Sequence, residues 1–261
     1  MQSHGQQAAD FLEVLYPTLE ASGLKTEIAC CDGSGWEQAR ERLEGIEAAG
    51  ADYTLGIATA HGYSSYPSTP FDVPQKVWET EWADLEGPHT LAWYYNGSSG
   101  EGLTWANNIH NTFTVSNVSA FLFWQGADNT TSNSALILLD GDTVNVSKRL
   151  WAMAQWSRFV KPGATRIDVQ SSDAAFNTTA FENADGSVAV QVINNSNATQ
   201  SVLVSGLKAA GHQHSSSKPT VRGHLTNNDH DLALSPVKPL GGGRHGANIP
   251  AYSMMSFVLS T

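Results

Sequence analysis

The chain is short of cysteine, of basic charge and of long apolar runs, and each shortage excludes something. Its 261 residues contain 2 cysteines, adjacent at Cys30 and Cys31. Two cysteines build no disulfide framework. Neighbouring side chains on a strand point to opposite faces, so this pair is expected as two buried free thiols. Lysine and arginine number 14 against 25 aspartates and glutamates, a formal net charge of -11. That balance argues against nucleic acid and anionic membrane as partners. No stretch approaches the roughly 18 apolar residues of a membrane-spanning helix. Residues 1–10 hold no signal-peptide core. A metal ligand set is missing as well. His212, His214, His230 and His245 follow no usual ligand spacing, and the first two sit in a low-complexity stretch.

The charge that is present is uneven. Residues 1–150 hold 19 acidic and 6 basic side chains, and residues 151–261 hold 6 and 8, a balance of -13 against +2. Two units of different chemistry are expected. The length suits one large domain or two small ones, with ample apolar content for a core. Asn-x-Ser/Thr sequons occur at Asn96, Asn117, Asn129, Asn145, Asn177, Asn194 and Asn197. Such sequons are acceptors in secreted proteins. Asn117 is expected to be the least used, because it precedes an apolar strand. The sequons favour a secreted eukaryotic protein and the first residues do not, so either the protein stays inside or its true N-terminus is missing.

Periodicity organises the first 159 residues as helix, then strand and helix in alternation. Residues 6–22 have helical spacing of Phe11, Leu12, Leu15, Tyr16 and Leu19. Strands are expected at 25–31, 53–60, 75–81 and 119–125, and helices at 36–49, capped by Ser34, at 100–115, and from a Ser147 cap to Phe159. Residues 126–147 are expected as a long loop with its own apolar stretch. Strand–helix alternation implies a parallel sheet with helices outside. Past Pro162 short strands alternate with turn signals: 165–169, 178–182, 188–194, 201–204, 220–225 and 253–259. Asp185-Gly186 marks a hairpin. Residues 205–219 and 239–248 are expected as loops. The boundaries are 1–159 for the α/β part and 160–261 for an antiparallel β-sandwich.

The strand Val77-Trp78-Glu79-Thr80-Glu81-Trp82 carries the chemistry. A period of two puts Val77, Glu79 and Glu81 on one face, with tryptophans on either side. A carboxylate ending a buried strand needs partners or a task. Asp32, His61, Glu81 and Trp124 all fall at strand C-termini, where catalytic groups gather in a (β/α)8 barrel. Four strands make half of one.

This combination resembles glycoside hydrolase family 30, in its fungal endo-xylanase and endo-β-1,6-galactanase branch. The residues that carry it are Ile57 to Tyr63, Val77 to Leu85, Gly102 to Asn107, Phe121 to Trp124 and Ser147 to Ala152. The resemblance implies the C-terminal half of a (β/α)8 barrel followed by a small antiparallel β-sandwich. It implies a retaining, two-carboxylate hydrolysis of plant cell-wall polysaccharide with no cofactor, by a monomer when full length. Glu81 maps to the nucleophile. The acid/base follows an Asn in an Asn-Glu-Pro motif, which this sequence lacks. The chain is therefore expected to be N-terminally truncated and inactive alone. Glu79 lies too deep to substitute. His61 and Tyr63 are expected near Glu81 or a sugar hydroxyl, and Trp124, Trp82 and Trp36 are candidates for sugar contact. Residues 126–147 hold no Lys or Arg, which argues against a glucuronate clamp in that loop. A non-catalytic carbohydrate-binding protein or an inactive fragment is the alternative.

Overall fold

A computed structural model of the chain describes residues 3–207 and 220–260. Among these no helix is long and apolar enough to cross a membrane. The chain divides into two compact units, Met1–Ala83 with Asn111–Gly126, and Asp84–His110 with Ala127–Thr261.

In the first unit α1 (Gly5–Ser22) is followed by β1 (Ala29–Gly33), α2 (Trp36–Ala48), β2 (Ile57–His61) and β3 (Lys76–Trp82). Helix α3 (Gly102–Thr114) runs from one unit into the other, and β4 (Ala120–Phe123) completes the first. The four strands pair in parallel in the order β1-β2-β3-β4. The apolar stripe of α2 (Trp36, Ala39, Leu43 and Ile46) packs with Ala58 and Ala60 of β2 and Val77 of β3. Gly5 and Gly45 let α1 lie directly on α2; a Cβ at Gly5 would come within 2.6 Å of the Gly45 Cα.

Three local expectations are corrected here. The cap of α2 is Gly35, not Ser34, and makes no side-chain bond. The first N–H groups of α2 are taken instead by Ser65, whose carbonyl accepts from Trp36 and whose hydroxyl accepts from Glu37. The second strand begins only at Ile57, because Asp52–Thr54 form a 3-10 turn. Cys30 and Cys31 are not free thiols but a disulfide. The pair sits where the register of β1 shifts, between Cys30 and Gly33, so the alternation of a regular strand does not hold for it.

Among the described residues the second unit holds three sheets. Residues 126–147 are not a loop: β5 (Ala127–Asp128), β6 (Ile137–Asp140) and β7 (Thr143–Val146) form a small sheet. Helix α4 (Lys148–Ser157) follows. Its Ser147 cap residue gives its hydroxyl to the Leu136 carbonyl rather than to the helix. Then come β8 (Thr165–Ile167), β9 (Phe176–Glu182), β10 (Val188–Asn194), β11 (Gln200–Val204), β12 (Thr220–Thr226), β13 (Ala233–Ser235), β14 (Lys238–Gly241), β15 (Arg244–Ile249) and β16 (Ser253–Ser260). A six-stranded sheet runs β13-β12-β16-β10-β9-β8, and a three-stranded sheet runs β11-β15-β14. The loop expected at 239–248 is the β14–β15 hairpin. Gly241, Gly242 and Gly243 turn it with positive φ, which glycine adopts without a Cβ penalty. Val190, Val192, Leu225, Met255 and Phe257 of the larger sheet share a core with Ile249 of the smaller one. Helix α4 is tied to the larger sheet through Gln155, whose amide donates to Thr226 and whose oxygen accepts from Ser256. His230 hydrogen-bonds Asn227, His245 lies on β15, and His212 and His214 fall outside the described residues. No cluster of three or more His, Cys, Asp or Glu suited to a metal ion occurs among the described residues.

Candidate active site

The C-terminal ends of β1, β2 and β3 form the site, and two bulges shape it. Between Cys30 and Gly33, β1 spends one residue more than β2 opposite. Between Glu79 and Trp82, β3 does the same against both β2 and β4. A bulge inserts an unpaired residue and re-aims the side chains beyond it. The expected alternation therefore holds from Val77 to Glu79, both buried, and stops there. Glu79 pairs with Ala60 and Glu81 pairs with the next residue, His61.

The bulges turn two side chains toward His61 at the end of β2. Its Nε2 lies 3.6 Å from Asp32 Oδ1 and 3.9 Å from Glu81 Oε2. These distances are beyond a hydrogen bond but close enough for electrostatic attraction or a bridging water. Asp32 has φ 48°, a left-handed conformation that the bulge imposes. Its backbone N–H donates to Thr59 Oγ1, and its Oδ1 accepts from Thr80 Oγ1 at 2.7 Å. The His61 imidazole, then Thr80 and Thr59, hold its carboxyl down at about 2, against the opposing effect of partial burial. Asp32 is thus ionised at any working pH.

Glu79 and Glu81, two positions apart, meet opposite conditions. The Glu81 side chain is 27% exposed, while Glu79 is 0% exposed. Trp36 Nε1 donates to Glu79 Oε2 at 2.7 Å. Burial pushes the Glu79 carboxyl up to about 8, although that hydrogen bond pulls it down. The Tyr63 hydroxyl is buried without a well-formed hydrogen bond. Burial, then the charge of Glu81, raises its pKa well above 10.

Expected site residues divide by where their rings and charges go. Glu81, His61 and Tyr63 come together. Trp124 directly follows β4 and is 43% exposed, and its backbone N–H is held by the Trp82 carbonyl. Trp36 is 1% exposed, stacked at 4.3 Å on Phe71; it offers no ring face to a ligand and holds Glu79 instead. Trp82 is buried too, with its ring over Gly62 and against Tyr66 at 5.5 Å. Tyr66, from the Ser/Pro-rich loop, is the exposed ring there. Sequence reasoning missed Tyr66 and Thr80. Nothing in local periodicity marks a loop tyrosine, and Thr80 faces the site only because of the bulge.

Residues 163–257 match the family model described as the glycosyl hydrolase family 30 beta sandwich domain. The whole chain superimposes on the catalytic domain of the GH30 xylanase C from Talaromyces cellulolyticus with a TM-score of 0.90 at 38% identity, covering 100% of this chain and 58% of that one. The likeness is to glycoside hydrolase family 30. The fold is the expected one, a partial parallel β/α barrel followed by an antiparallel β-sandwich. Another family 30 xylanase, Xyn30A from Clostridium acetobutylicum, shares the fold with a TM-score of 0.78 at 20% identity, over 100% of this chain and 62% of that one. Among curated proteins, Glucuronoxylanase XynC of Bacillus subtilis (strain 168) is 26% identical over 212 residues, 79% of this chain and 46% of that protein. The chain thus spans about half the length of that curated relative.

Proposed function

We propose that this chain carries the nucleophile of a secreted, retaining glycoside hydrolase that cuts plant cell-wall polysaccharide, with xylan as substrate class. The observation that carries the reading is Glu81: a partly exposed carboxylate at a strand C-terminus, beside His61 and Tyr63. In a retaining mechanism one carboxylate attacks the anomeric carbon while a second carboxyl group, about 5–5.5 Å away, protonates the departing oxygen. Glu81 fits the first role. Asp32 is held ionised and has no proton to give. Glu79 keeps a proton but is sealed from any ligand. Neither neighbour fits the acid/base role, which would come from the part of the family fold outside these residues. Trp124 supports the xylan reading as an exposed ring on which a pyranose can rest, and the enzyme would work as a monomer. A carbohydrate-binding role without catalysis is the second reading; the two exposed rings Trp124 and Tyr66 favour it.

An aryl β-xylobioside with a dinitrophenyl leaving group, assayed with azide, separates these readings. The leaving group departs as a phenolate and needs no acid. Glu81 then forms a glycosyl ester, and azide displaces it to give glycosyl azide and free carboxylate. Glycosyl azide from the chain and none from a Glu81→Gln variant is the expected result. Equal yields from both remove Glu81 from the role. Retention on xylan with no azide product favours the binding reading.

A further inference from the structure

Strand β3 buries a carboxyl group that the proposed reaction leaves unused. Glu79 is fully buried. One oxygen accepts from the Trp36 indole, and the other, Oε1, makes no well-formed hydrogen bond among the described residues. An ionised carboxylate here would gain from the Trp36 indole and the Glu81 backbone N–H, but burial outweighs both. The charges around it make matters worse. Asp32 on β1 and Glu81 on β3 are carboxylates, and both push the Glu79 carboxyl upward. Tyr63 also feels it. His61 lies between Asp32 and Glu81. Arg42, the buried cation of α2, gives its guanidinium to the Cys31 carbonyl. Close carboxylates do not both ionise readily; one of them keeps a proton. Were Glu79 charged as well, two like charges would repel each other at the end of β3.

We propose that Glu79 is a positioning residue kept as the neutral acid, which ties β3 to Trp36 just before the bulge and leaves Glu81 as the charged carboxyl of that strand. This rests on the reading of Glu81 as the nucleophile. With the carboxyl held up at about 8, the arrangement fails above that pH. The new charge then repels Glu81 and is drawn toward water, which displaces the end of β3. Glutamine has the shape of the neutral acid and does not titrate. Aspartate is too short to reach the same contact.

The test follows glutamate carboxyl carbons by NMR in the full chain labelled with 13C at Cδ, the Glu79 signal being the one lost in Glu79→Gln. A midpoint near pH 8, tracked by the Trp36 indole N–H and absent from that proton in Glu79→Gln, is expected. A Glu79 midpoint below about pH 5, where free glutamates titrate, overturns the proposal. The azide reaction reads the positioning role. The wild-type rate is expected to fall about tenfold from pH 7 to pH 9, as for loss of one essential proton. In Glu79→Gln that alkaline fall is absent, and in Glu79→Asp the rate is low throughout. An unchanged alkaline fall in Glu79→Gln overturns the role. No azide product from the wild-type chain overturns the Glu81 reading and the positioning role with it, while the carboxyl midpoint still decides whether Glu79 is neutral.

Discussion

A side chain's task depends on what its polar atoms already hold, and the two glutamates of β3 differ in this way. Glu81 keeps an exposed carboxylate, whereas Glu79 has its oxygens enclosed and a tryptophan on one of them. The same reasoning sorts the sequons, because a glycan is built on the asparagine Nδ2. Asn194 is fully buried, and its Nδ2 donates to the carbonyls of Ala198, Ile249 and Pro250. Asn177 donates through Nδ2 to Asn107. Asn96, Asn129 and Asn197 are exposed. Asn117, expected to be least used, is exposed as well, and the buried sequon is Asn194 at the end of β10. A glycan on Asn194 would remove three hydrogen bonds and force a sugar into a core. When the protein is produced through a eukaryotic secretory pathway, glycopeptide mass spectrometry is expected to find glycans on Asn96, Asn129 and Asn197. Asn177 and Asn194 are expected bare. A glycan on Asn194 in folded protein would contradict the burial argument.

Elements were legible in the sequence where one physical rule acted alone. The period of two and the Asp185-Gly186 turn locate β10 at Val188–Asn194, its observed limits. The helical stripe from Trp36 gives α2 to within a residue. The rest depended on partners far along the chain. The donors of α2 are met by Ser65, twenty-eight positions beyond Glu37, so a local capping rule chose Ser34 instead. Glu81 at a strand end was legible, but its surroundings were not, because an extra residue in β1 and another in β3 appear only when strands are paired. Gly62 shows how tightly the end of β2 is fitted to the bulged end of β3. Its N–H donates to the Glu81 carbonyl, and a Cβ there would run into the Trp82 indole. Gly62→Ala is therefore expected to displace Trp82 and cost about 1–3 kcal/mol, the usual price of overpacking a filled site. Urea denaturation with tryptophan fluorescence reads both effects. A variant as stable as the parent, with unchanged emission, would show that the end of β3 is looser than this contact implies.

At the scale of the whole molecule the two units carry opposite pH dependences. In the first, Glu79 keeps its proton to about 8 instead of 4.5. Between those values the unfolded chain has released a proton that the folded unit retains, so stability falls as pH rises through that window. Asp32, held at about 2 instead of 3.8, works the other way, but only in strong acid. In the second unit, burial holds His110 down at about 4 from 6.5. The unfolded chain there binds a proton that the folded unit refuses, so stability rises with pH from about 4 to 6.5. Asp84 and Glu101 are also lowered, Asp84 by hydrogen bonds from the Gly87 N–H, Ser99 and Asn133, and Glu101 by the N–H groups of Asn96 and its neighbours, each against its burial. Both add to the second unit's loss in acid. One titrating proton changes stability by at most about 1.4 kcal/mol per pH unit. Differential scanning calorimetry from pH 5 to pH 8 is then expected to show the first unit's transition moving down in temperature. The second unit's transition rises up to about pH 6.5 and then levels. Glu79→Gln should flatten the first dependence and leave the second alone. Transitions that move together in both proteins would mean that Glu79 titrates normally, or that the units melt as one body whose pH dependence neither buried group controls.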